Sequence, residues 1–115
     1  MSIIKMSNGI SKREQYNIMK GAGNAKAADL TGVKLHIKGY LIFERENSTG
    51  DVTKACGFIY ESSNGNGIAV TNSRSLIEDI DTITDLVDND ADWNLEIVAG
   101  TSRAGRRFLR GNWAE

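Results

Sequence analysis

Between Val33 and Arg45 the chain alternates with a period of two, and no other stretch limits the possible folds as much. Val33, Leu35, Ile37, Leu41 and Phe43 fall on one face, and Lys34, His36, Lys38 and Tyr40 on the other. A helix would scatter that pattern around its circumference, so the segment is expected to be a long, half-buried strand with a basic and aromatic outer face. The turn residues Asn47 to Asp51 follow, then Val52 to Glu61, rich in β-branched and aromatic side chains, which predicts a hairpin.

The rest of the chain extends this pattern. The sequence holds no proline and 12 glycines. Its turns must therefore be made by Gly, Asn, Asp and Ser, as at Ser62 to Gly67 ahead of a short third strand, Ile68 to Thr71. Ser75 and Glu78 have capping-box spacing, and Leu76, Ile80, Ile83 and Val87 recur at helical intervals among Asp79, Asp81, Asp85 and Asp88. An acidic amphipathic helix is predicted over 75–87. Asn94 to Ala99 and Arg106 to Trp113 read as two further strands joined by the turn at Gly100 to Gly105. The expected order is β-β-β-α-β-β. That is a mainly β chain in the order of a five-stranded OB-fold barrel with one helix between strands 3 and 4, a fold that binds oligonucleotides on its strand 2–3 face and through its 1–2 and 4–5 loops. Residues 1–32 lack sustained periodicity and read as an N-terminal arm with one short helix starting at Ser11, leaving 33–115 as the barrel domain.

At 115 residues there is room for one core. No apolar run suits a membrane helix and the first residues lack a signal-peptide core, so a cytoplasmic location is expected, in the host if the chain is viral. Cys56, the single cysteine, excludes an internal disulfide and is expected in the core. The net charge of −1 conceals blocks: +4 over 1–60 (nine Lys/Arg, five Asp/Glu), −8 over 61–100 (one against nine) and +3 over 101–115 (four against one). A polyanion would meet the first and last blocks while the middle one is turned away.

The last block places Arg103, Arg106, Arg107 and Arg110 on one tight hairpin with Phe108. Guanidinium planes beside an aromatic suit phosphates and unstacked bases, although charged residues on a sheet edge also serve to discourage strand pairing. Lys34, Lys38, Arg103, Arg106 and Arg110 are expected to meet phosphate, with His36, Lys54, Arg74 and Arg107 beside them. Tyr40, Tyr60 and Phe108 are the stacking candidates, and Phe58 and Tyr60 suit the core equally, since Cys56 shares their face. One histidine and one cysteine far apart make no nucleophile–base pair, so no enzyme and no cofactor is expected. Asp88, Asp90 and Asp92 have the spacing of a calcium loop, but Trp93 stands at the required glycine and Ala99 at the bidentate glutamate, so no metal is expected. Gly21 to Lys26 lacks the glycine that precedes the lysine of a phosphate loop.

Taken together, Ser7-Asn8 with Tyr16, Thr71-Asn72-Ser73 ahead of Leu76, and Gly100-Thr101-Ser102-Arg103-Ala104-Gly105-Arg106 with Phe108 give a pattern over nearly the whole chain. In it the chain resembles the small single-stranded DNA-binding proteins encoded by bacteriophages. The resemblance implies an OB-type fold that coats single-stranded DNA during phage replication or recombination, protecting it and removing hairpins, and it carries over Arg103 and Arg106. Where cellular single-strand binding proteins recruit partners through an acidic tail, this sequence reads Arg110-Gly111-Asn112-Trp113-Ala114-Glu115.

The expectation is thus a non-catalytic, sequence-tolerant single-stranded DNA-binding protein with no membrane association. RNA as a weaker ligand and a homo-oligomer using the edge near Ile42 stay open. The alternative is an OB-like protein-interaction module whose binding surface is the acidic helix.

Overall fold

The computed structural model describes residues 2–20, 25–46, 48–90 and 92–115. The turn residue Asn47 and the glycine-rich stretch Gly21 to Asn24 lie outside them. The expected long hairpin is present as β3 (Lys34–Glu46) and β4 (Val52–Ser62), followed by β5 (Gly65–Thr71), helix α2 (Arg74–Leu86), β6 (Trp93–Thr101) and β7 (Arg107–Ala114). Ahead of them come β1 (Ser2–Met6), α1 (Lys12–Met19), the two-residue β2 (Ala25–Lys26) and a 3-10 turn at Ala27–Leu30. The described strands form one mainly antiparallel sheet in the order β2-β5-β4-β3-β6-β7, with β1 also on β3, curled into a half-barrel.

The stretch read as an arm is built into this sheet. β1 pairs antiparallel with the second half of β3, Met6 opposite Leu41, while β6 takes the first half of the same edge, Leu95 opposite Leu35. α1 starts as its sequence predicts: the Ser11 hydroxyl accepts from the Glu14 amide and the Glu14 carboxylate accepts from the Ser11 amide.

A β-bulge alters the face assignment of β3. Register against β4 shifts between Ile37 and Gly39, leaving Lys38 as the extra residue. Past that point the phase reverses. Tyr40 and Ile42 join Leu35 and Ile37 in the core under α2, with Cys56, Phe58, Tyr60, Leu76, Ile80 and Trp93, whereas Leu41 and Phe43 turn to the opposite side. There Ile18 of α1 covers them and Ala55. The register also explains Gly57, because a Cβ on it would stand 2.1 Å from Ile18 Cγ2. Ile42 is 2 % exposed and its strand is paired on both sides there, with Lys5 of β1 and Cys56 of β4, so it presents no free edge.

α2 buries Leu76, Ile77, Ile80, Ile83 and Thr84 at helical spacing. Its N-cap is Ser73, which accepts from the Leu76 amide, and not Ser75 as the capping-box spacing suggested.

Candidate nucleic-acid interface

The β6–β7 hairpin closes at Ser102 to Gly105. The Gly105 amide donates to the Ser102 carbonyl at 2.9 Å, Gly105 lies at φ 79°, and the Arg106 amide donates to Ser102 Oγ at 3.2 Å. This turn sets the backbone positions from which Arg103 and Arg106 project into solvent. Across the hairpin Gly100 faces Phe108, and a Cβ on Gly100 would stand 2.5 Å from the Phe108 ring, so the ring is laid over the bare backbone of the neighbouring strand.

β2 and β7 are the two ends of the sheet path, and residues of the corner from β5 into α2 line concavities together with residues from both ends. The Thr71 hydroxyl accepts from the Ser73 amide at 3.1 Å and Ser73 caps α2, so the Thr-Asn-Ser motif is the tight corner that delivers Arg74. Three adjoining concavities follow this corner. One of about 440 Å³ is lined by Lys54, Asn72, Arg74 and Glu78 among others. The next, about 490 Å³, is lined by Ala28, Ser73, Arg74, Ser75, Arg107, Phe108 and Leu109. The third, about 340 Å³, includes Lys26, Arg45, Asn72 and Leu109. Arg74 separates the first two, and Lys26, Arg45, Lys54, Arg74 and Arg107 form no ion pair among the described residues. Glu78 is the one carboxylate lining these three cavities.

The expected site residues divide into three groups. Lys54, Arg74, Arg107 and Phe108 meet in this cleft, and Arg103 and Arg106 stand on the adjoining hairpin tip. A second group is occupied inside the chain. His36 Nε2 and Lys38 Nζ approach Asp92 at 3.1 and 3.2 Å, and His36 Nδ1 lies 2.9 Å from Asn94. Arg110 makes a forked pair with Asp79, Nε at 2.7 Å and Nη2 at 2.9 Å, while the Gly111 amide donates to the same carboxylate. Lys34, exposed on β3 opposite Glu96 of β6, lies outside the cleft lining. The third group is a correction. Tyr40 is fully buried with its hydroxyl donating to Asn89 Oδ1 at 2.8 Å, and Tyr60 is 5 % exposed, so neither offers a ring to a base. The bulge at Lys38 is the cause for Tyr40. Tyr60 pairs with Ile37 and shares its core face.

The acidic block does not simply face away. Asp79 holds Arg110, and Asp81 and Asp85 both take the Lys5 ammonium, fastening β1 to α2. The Arg110 fork, helped by the Gly111 amide, lowers the Asp79 pKa against the opposing effect of burial. His36 and then Lys38 hold that of Asp92 down. Burial pushes the Cys56 thiol up to about 12, which leaves no thiolate nucleophile at neutral pH. No cluster of metal-ligating side chains occurs among the described residues, nor a helix long and apolar enough to cross a membrane.

Sequence reasoning did not place Lys26, Arg45 or Asn72 at the cleft that they line. Lys26 falls in a stretch without periodicity, and Arg45 at the end of a strand is an ordinary solvated position until the cleft is seen. Comparison with known protein families, with characterised proteins and with solved structures gives no match.

Proposed function

We propose that this chain binds single-stranded DNA along the open side of an OB-type half-barrel, coating and protecting it during phage replication or recombination. The observation that carries the reading is the cleft: five cations that form no ion pair among the described residues border a partly apolar trough that contains Phe108. Lysines and arginines spaced along a groove follow a phosphate backbone without reading sequence, and a half-exposed ring adds stacking that every base can satisfy. The strand order from β3 to β7, with α2 between β5 and β6, supports the OB-type assignment. A single strand suits the trough because its bases are free to turn inward, whereas a duplex keeps its base faces stacked and out of reach of Phe108.

Lys54, Arg74 and Arg107 are the central contacts, Lys26 and Arg45 extend them, and Arg103 and Arg106 guide the strand past the hairpin tip. RNA presents the same phosphates and is a weaker ligand in this reading. The acidic helix is the less favoured binding surface because Asp79, Asp81 and Asp85 are already tied to Arg110 and Lys5. Charge reversal of Arg74 and Arg107 together is expected to lower affinity for oligo-dT at least a hundredfold at low salt, measured by anisotropy. Unchanged affinity in that variant contradicts the reading.

A further inference from the structure

We infer that the cavity between the start of α2 and β7 is a receptor for one nucleotide of the strand, its base inserted against Phe108 and its phosphate held by Arg74 and Arg107. This rests on the single-strand reading and adds to it a fixed anchor point, where a stacking groove alone would treat all nucleotides alike.

The cavity lining joins two chemistries: Ala28, Phe108 and Leu109 are apolar, and Ser73, Arg74, Ser75 and Arg107 carry hydrogen-bond donors. Its volume of about 490 Å³ falls within the range of small-molecule sites, roughly 300–1,000 Å³. The Phe108 ring is held in place because it lies on Gly100, with no Cβ beneath it. Phe108 is therefore a pre-set platform and loses little freedom when a base stacks. Ser73 is committed to the helix cap, which leaves the Ser75 hydroxyl as the uncharged lining group to meet a base edge. A hydroxyl both donates and accepts, so the receptor fixes the position of a base without choosing its identity. Arg74 also lines the neighbouring 440 Å³ cavity with Lys54, so the next phosphate has a partner one step along.

The test is an abasic scan. The shortest oligo-dT that binds at full strength is synthesised with a single abasic site moved through every position, and each oligomer is titrated against the wild-type chain and against Phe108→Ala. One position is expected to lose on the order of tenfold in affinity in the wild type, and in Phe108→Ala that position falls to the level of its neighbours. Because Phe108→Ala removes a half-buried ring, Ala28→Tyr provides a second variant: Ala28 is exposed, so the new ring fills the cavity without entering the core. It should abolish the position dependence while the phosphate-driven affinity persists. A uniform loss at every position in the wild type overturns the receptor and leaves the groove reading standing, whereas no binding of any oligomer overturns both.

Discussion

At the scale of single residues, glycines mark where two parts of the chain come closest. Gly57 lies under Ile18, whose β-branched side chain has little freedom to move aside. Gly57→Ala is expected to cost about 1–3 kcal/mol, read as a lower denaturant midpoint at unchanged slope. The cost should shrink when Ile18→Ala is present as well, because the clashing methyl is then gone. Gly100 has the matching role beneath Phe108. Two carboxylates contribute to the pH dependence of stability on the acid side. The folded-state pKa values of Asp79 and Asp92 are depressed, so both stabilise the fold fully above the unfolded carboxylate value, about 3.9, and lose that contribution as pH falls through the folded value. Asp79→Asn is therefore expected to be less stable than wild type at pH 7, and to show a shallower loss of stability below pH 4, in denaturant titrations across that range.

At the scale of elements, α1 decides whether the sheet has one covered face or two. Ile18→Ala should cost about 2–5 kcal/mol and selectively raise hydrogen exchange in Leu41, Phe43 and Ala55, the residues that α1 covers. The same element shows what the sequence could and could not reveal. Period-two alternation located β3 and β4, and turn chemistry located a turn at Gly100 to Gly105, which closes at Ser102 to Gly105, because both patterns are local. The bulge at Lys38 was signalled only by Gly39 inside a strand, and overlooking it placed Tyr40 outside when it is core. Ala55 and Gly57 alternate with Cys56 and Phe58, and that run of small residues marks where a helix lands, but nothing local says which helix. Pairings such as Arg110 with Asp79, or Lys38 with Asp92, join residues far apart in sequence. Composition therefore counted as free two cations that the fold neutralises.

At the scale of the whole molecule, the fold separates cations by use. Lys5, Lys38 and Arg110 fasten elements to one another, and those around the cleft form no ion pair among the described residues. In the proposed reading this division, and not the net charge of −1, lets a slightly acidic chain attract a polyanion. The corresponding solution behaviour is steep salt dependence. With about three to five phosphates neutralised, the logarithm of affinity should fall against the logarithm of salt with a slope of roughly −2 to −3.5. The most direct test is a titration of the wild-type chain with end-labelled oligo-dT and with duplex DNA of equal length at several salt concentrations. The account predicts saturable binding of the single strand with that slope and much weaker binding of the duplex; equal binding of the two, or none of the single strand at low salt, would contradict it.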